Sequence, residues 1–450
     1  MVPDSKLMDA IAALDYRVTV GDVATQSGLA VRQAEQGLLA LASEAGGHLQ
    51  VSETGDIVYL FPKNFRAILR NASLSLRLKA LRQRIWGILF YLIRISFGIL
   101  LIASLIIVGI AVMMLVVVYT SQQSRNGNQR SNSNGRGQSR SQVFGFPFSV
   151  VDLWRLDHYR RRAGLGYLQK RSSVGRSSGT SETQSSMGFL EAIFSFLFGD
   201  GDPNADLGDR RWQMIAGLIR NHDGAVTSEQ LAPYLDLPSI NDSSSFDPED
   251  YVLPVLQKFN GRPEVSPTGG LIYHFPALQV MAKEHGTQRV SDSLQERPWR
   301  FSLASQTQLT WAAGLGAVNL AVVVAFELLF DESLMQGIGG LIGLVEAGYW
   351  VFFAYAIAFL LIPAGRYLWL RRKNHTIEQR NLRRVEWASQ LDQPSSEVKE
   401  KMAYAKTFTA ETVISADDLA YTTEMDLATQ ELLNADTIDQ DWRQRLEKLL

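Results

Sequence analysis

Residues 95–119 run for 25 positions without a charge or a proline. A helix that is apolar on every face has no side for water, and this length exceeds the roughly 20 residues needed to cross a hydrocarbon layer. The run therefore predicts a membrane span. Two further apolar runs, 309–330 and 337–362, are separated by the acidic turn Asp331-Glu332-Ser333-Leu334-Met335-Gln336 and predict a transmembrane hairpin. Outside these runs the spacing becomes that of soluble elements. In residues 1–62, Leu7, Ile11 and Leu14 mark a first helix, Val18-Thr19-Val20 a short strand, and residues 22–27 a second helix. Ala34, Leu38, Leu41 and Ala42 place a third helix over 31–45, which Gly46-Gly47 stops. Residues 48–53 and 57–61 then form a β-hairpin around Thr54-Gly55-Asp56. Three helices followed by a hairpin is the winged-helix order.

The same order returns in residues 209–276: a helix over 211–221, a strand at Ala225-Val226-Thr227, helices over 228–235 and 247–259, and a hairpin of 264–266 and 271–275. Gly55, Ile57, Tyr59, Phe61 and Pro62 match Gly269, Leu271, Tyr273, Phe275 and Pro276 at one offset of 214. Five matches inside one predicted hairpin predict an internal repeat. The expected fold class is α+β soluble domains, as two winged-helix repeats, plus α-helical transmembrane segments. The remaining chain reads as a basic connector over 63–94, a disordered Ser/Asn/Arg-rich linker over 120–186, a short apolar helix over 187–200, and a polar helical tail over 371–450. The short helix suits either the lipid head-group layer or a seat on the second winged helix.

Charge changes the functional picture. The whole chain of 450 residues has a formal net charge of -2, but residues 1–61 hold three Lys/Arg against eight Asp/Glu, and residues 209–276 hold five against nine. Balances of -5 and -4 oppose DNA, whose affinity comes largely from phosphate neutralisation. The third helices offer only Arg32 and Lys258 as bases. There is no cysteine, which excludes disulfides and cysteine-held metal centres built by this chain alone. The six histidines, His48, His158, His222, His274, His285 and His375, show no metal-ligand spacing, and no P-loop occurs. No enzyme chemistry, cofactor or metal is expected. The first apolar run starts only at Ile85, so a cleaved secretory signal is not expected either.

Inside the predicted hairpin lie Glu346, about 14 to 15 Å from the turn at 1.5 Å per residue, and Asn319 at a similar depth on the partner helix. They are expected to hydrogen-bond across it as interhelical glue, with a proton or ion role for Glu346 as the alternative. Gly339, Gly340 and Gly343 form a small-residue face for helix packing, with Gly314 and Gly316 on the preceding helix. Topology is divided. Length favours a single crossing by 95–119, whereas basic flanks and the repeat favour 85–119 folding back as a hairpin that keeps both winged helices on one side.

Three stretches carry a resemblance to a known family: Arg94-Ile-Ser-Phe-Gly98; Met187-Gly-Phe-Leu-Glu-Ala-Ile-Phe-Ser-Phe-Leu-Phe-Gly-Asp200 with Pro203-Asn204; and Arg211-Trp212 through Glu229-Gln-Leu-Ala-Pro-Tyr-Leu235. Together they resemble an integral membrane protein family of cyanobacteria and chloroplasts without an assigned function. That resemblance implies a thylakoid or plasma membrane of a cyanobacterium. Plant members carry an iron–sulfur cluster biosynthesis label, which a chain without cysteine does not match as a scaffold. The expectation is a non-enzymatic membrane protein whose winged helices contact membrane or peripheral proteins. A lipid bilayer is its surrounding, and a homo-oligomer remains open. The alternatives are a membrane-tethered DNA-binding regulator and a small transporter or channel subunit.

Overall fold

Helix and strand boundaries in the computed structural model fall where local chemistry sets them; it describes residues 4–72, 74–126, 187–235, 248–284, 286–330, 340–415, 418–433 and 443. The first segment runs α1 (Ser5–Ala13), β1 (Arg17–Thr19), α2 (Val20–Ser27), α3 (Val31–Ala45), β2 (His48–Ser52) and β3 (Ile57–Leu60), then α4 (Phe65–Ala72) and α5 (Leu74–Asn126). After α6 (Phe189–Phe198), the second follows the same order as α7 (Leu207–Asn221), β4 (Ala225–Thr227), α8 (Ser228–Leu231), α9 (Leu253–Phe259), β5 (Arg262–Val265) and β6 (Leu271–His274). The rest is β7 (Val280–Met281), α10 (Gln306–Leu329), α11 (Leu341–Ala347), α12 (Tyr349–Gln390), α13 (Ser396–Ala405), β8 (Thr412–Val413), β9 (Leu419–Thr422) and α14 (Leu427–Leu433). Two units result: Met1–Gln83 with Asp202–Pro298 and Asn374–Leu450, and Arg84–Gly201 with Trp299–Lys373.

In the first unit the two segments share strand register. Tyr59 lies opposite Val18 and Leu49, and Tyr273 lies opposite Val226 and Pro263. Both tyrosines are buried, as are Phe61 and Phe275. Each hairpin turns on a glycine in the left-handed region, Gly55 at φ 89° and Gly269 at φ 87°, where a side chain would be strained. Each turn is also held by a serine: Ser52 Oγ accepts from the Asp56 N–H at 3.1 Å, and Ser266 Oγ from the Gly270 N–H at 2.9 Å. Ser52 and Thr54 match Ser266 and Thr268 at the same offset as the five matches above.

The segments merge into one hydrophobic core that includes Ile11, Leu38 and Phe61 from the first and Ile215, Phe259 and Phe275 from the second. Helix α2 packs on α7. Close approach is needed there, because a Cβ on Gly21 would strike the Ala277 carbonyl and one on Gly28 would lie 3.1 Å from Trp212 Cβ. At the centre of this junction is Asp22. It accepts from the Thr19 N–H at 3.0 Å, closing the capping box of α2, and from the Ala282 N–H at 2.9 Å. Its other oxygen pairs with Arg220 at 3.0 Å, and both side chains are buried. Burial lowers the Arg220 pKa, and the Asp22 carboxylate works against that shift.

The tail departs from the helical expectation. It begins within α12, whose Arg380 and Arg384 both pair with Glu296, and it continues into α13. It then supplies β8, parallel to β7, and β9, which joins the first sheet in the order β1-β3-β2-β9. The reason is that β2 presents a free edge: the Leu49 N–H donates to Thr423 Oγ1 at 2.8 Å, and the Leu49 carbonyl accepts from the Thr423 N–H at 2.9 Å. The equivalent position in the second sheet is Pro263, which has no N–H, and among the described residues no strand pairs with the outer edge of β5. Where the first sheet gains a strand, the second gains α13, whose Lys401 reaches Glu229 at 3.1 Å and Glu249 at 3.2 Å.

Two other expectations are corrected. Residues 85–119 form part of the single helix α5, so the folded-back hairpin is not formed. The run over 337–362 is not one helix, since α11 ends at Ala347 and α12 starts at Tyr349. The acidic turn 331–336 and most of the linker, residues 127–186, lie outside the described residues. Because the two segments share one core, they lie on the same side of any membrane that the helices cross.

Two predictions follow from this junction. Asp22→Ala leaves Arg220 buried without a partner and is expected to destabilise the fold by about 3 to 5 kcal/mol, with part of the loss recovered in the Asp22→Ala/Arg220→Met double variant; chemical denaturation of the solubilised chain measures both. The absence of native cysteine makes single-cysteine labelling direct. Glu53→Cys and Val265→Cys should react with a membrane-impermeant maleimide from the same side, and labelling from opposite sides would contradict the shared core.

Candidate functional site

Among the described residues, three helices are long and apolar enough to cross a membrane: Arg84–Ser121 within α5, Gln306–Leu329 and Tyr349–Gln390. They pack in the second unit around two apolar clusters. One joins Leu101, Ala312 and Phe359 with Ile193, Phe196 and Leu197 of α6; the other joins Val108, Ala111 and Leu115 with Val323, Phe326, Ile342 and Ala356. Thus α5 and α10 run in the same direction, and α12 runs against them. Helix α6 is a packed member of this unit.

The expected Asn319–Glu346 bond is not formed. Asn319 is fully buried, but its Oδ1 accepts from Ser104 Oγ on α5 at 3.1 Å, and its Nδ2 has no partner among the described residues. Glu346 lies on the exposed side of α11. The choice of a third helix as partner was not legible in the sequence. The small-residue face is likewise misplaced. Gly340 and Gly343 have open space where a Cβ would stand, and Gly339 lies outside the described residues. Close approach occurs at Gly316, one of the two glycines expected on the preceding helix, where a Cβ would run into the Phe359 ring, and also at Gly98, where it would lie 2.8 Å from Leu190 Cδ2.

A polar node escaped the sequence reading. Asp200, just beyond α6, accepts from Ser195 Oγ at 2.5 Å and from the Leu303 N–H at 2.7 Å, and pairs with Arg94 of α5 at 2.9 Å. Arg366 of α12 donates to the carbonyls of Ser195 and Phe196 at 3.1 and 3.0 Å, satisfying the C-terminal end of α6. Four elements meet at this point. The signal was in view, since Arg94 and Asp200 bound two of the stretches that carry the family resemblance, but a charge in sequence does not name its partner.

On the first unit, the helices that would read a duplex are otherwise occupied. Helix α3 touches α9. Lys258 stands over the Trp212 ring at 4.4 Å, and its pKa is lowered by burial, against the influence of Asp209. Arg32 alone remains an exposed base on α3. The hairpin residues Gly55, Tyr59, Phe61 and Pro62, with Gly269, Tyr273, Phe275 and Pro276, shape turns and core and form no reactive cluster. Among the described residues no group of three His, Asp or Glu side chains could hold a metal ion. A cleft of about 220 Å³ beside Thr25, Arg210 and Gln288 is smaller than a usual ligand pocket.

The chain is 35% identical to an uncharacterized chloroplastic protein of Arabidopsis thaliana, over 99% of its own length and 82% of the relative's. It belongs to the same family. No family model and no solved structure matches it. The family is thus one with a chloroplastic member, and this chain has three long apolar helices compatible with membrane association.

The Ser104–Asn319 contact makes a test. Asn319→Leu should lower the stability of the detergent-solubilised chain by about 0.6 to 1.7 kcal/mol, the range for interhelical polar contacts, whereas Glu346→Gln should leave it unchanged. Thermal or SDS unfolding measures both, and a larger loss at Glu346 would return the polar lock to the carboxylate.

Proposed function

We propose that this chain is a non-enzymatic integral membrane protein of a photosynthetic membrane system, the thylakoid or plasma membrane of a cyanobacterium, and that its two winged-helix repeats dock other proteins during assembly or maintenance of membrane complexes. The observation that carries this reading is the junction of the two segments. Their third helices touch each other, and the bases that might face a phosphate backbone are few and partly engaged. Surfaces of net negative charge that already dock on protein within the chain suit protein partners better than nucleic acid. The chloroplastic relative and the three apolar helices support the location. The shared helix, strand and hairpin order, with β3 between β1 and β2 and β6 between β4 and β5, supports the winged-helix assignment.

A transporter or channel role is the second reading, favoured by one observation: Glu346 is exposed on a helix of the apolar unit. A tethered regulator of transcription gains no support from the geometry.

The exposed Leu39 on α3 and Ile57 at the hairpin give the test. A photoreactive residue at either position, in the full chain in native membranes, should yield an adduct of discrete polypeptide mass, and the solubilised chain should not shift duplex DNA at micromolar concentration and physiological salt. Crosslinks to lipid alone, or a salt-sensitive DNA shift abolished by Arg32→Ala, would replace docking with another function.

A further inference from the structure

The second unit ends in a group of aromatic and basic side chains with a consistent arrangement. Trp369 and Lys373, four residues apart on α12, face the extended residues that lead into α10. Lys373 Nζ stands 3.7 Å from the centre of the Trp299 ring and 4.8 Å from that of Trp369, and the two indoles meet edge to face at 5.8 Å. An ammonium held between two indole faces sheds part of its water, and its remaining N–H groups are left for an outside acceptor. Arg300 and Arg371 beside it are exposed. Among the described residues, no carboxylate pairs with Arg300, Arg371 or Lys373.

What adjoins this group decides its occupant. Leu361 and Leu368 of α12 are 64% and 61% exposed, so hydrocarbon-facing surface runs directly up to the cations. Indoles at the end of an apolar helix mark the boundary between hydrocarbon and head groups, and unneutralised cations there attract negative lipid. We infer that this end of the helical unit, with Lys373 between Trp299 and Trp369 and flanked by Arg300 and Arg371, is a binding site for the phosphate-bearing head group of an anionic lipid.

This inference rests on the membrane reading, and the experiment separates the two. The full chain is reconstituted in nanodiscs of phosphatidylcholine with a minor fraction of phosphatidylglycerol, then released into detergent, and the retained lipids are counted by native mass spectrometry. The anionic lipid should be enriched about fivefold over its share of the disc. Lys373→Met should bring that ratio close to one, Lys373→Arg should restore it, and millimolar glycerol phosphate should not displace the lipid. Equal retention of both lipids by the unaltered chain, unchanged enrichment in Lys373→Met, or displacement by glycerol phosphate would overturn the lipid site while leaving the membrane reading intact. Failure of the chain to enter nanodiscs at all would overturn both.

Discussion

The buried pair of Asp22 and Arg220 is the constraint from which the first unit takes its form. One carboxylate closes the capping box of α2, receives the Ala282 N–H, and meets a guanidinium at the end of α7. A buried ion pair is not by itself a large gain in stability, because desolvation offsets much of the attraction, but removing one partner strands the other. Its effect is on specificity: α2 can sit on α7 in one register only. That register brings Gly21 and Gly28 against backbone and side chains that leave no room for a Cβ, and it fuses two small cores into one. A segment of about 60 residues buries a modest apolar area by itself, so the shared core matters to both.

The two segments are alike in turn and tyrosine, yet their edges are treated differently. Leu49 offers an N–H and a carbonyl to the tail, and β9 takes them. Pro263 withdraws the donor at the matching position, so the second sheet is spared strand addition and is covered by α13 on another side. One substitution of backbone chemistry thus sends the same tail to pair with one sheet and to pack on the other.

The helical unit relies on polar contacts and close approach as well. Its apolar surfaces alone give the helices little reason to prefer one neighbour, so small residues and polar contacts choose. Gly316 lets α10 and α12 approach, Ser104 and Asn319 fix α5 against α10, and Asp200 gathers α5, α6 and the residues before α10 at one level. Arg366 adds α12 by taking the carbonyls that end α6.

The sequence by itself determined what depends on period, turn chemistry and length. Residues 31–45 became a helix, Gly55 and Gly269 became left-handed turns, and the 25 apolar residues at 95–119 became part of an uninterrupted helix. These are local properties, fixed by spacing along the chain. Partnership was decided only by tertiary structure. Asn319 bonds Ser104, 215 residues away, rather than Glu346. Of the expected packing glycines, Gly316 and not Gly343 closes a helix pair, and a tail read as helical yields a strand because an unpaired edge awaited it. The side on which each segment lies was ambiguous from charge, whereas the shared core places both together. Depth, period and polarity can be counted along a chain, but which groups meet depends on how the elements rotate about their own axes, and that rotation is set by packing against partners distant in sequence.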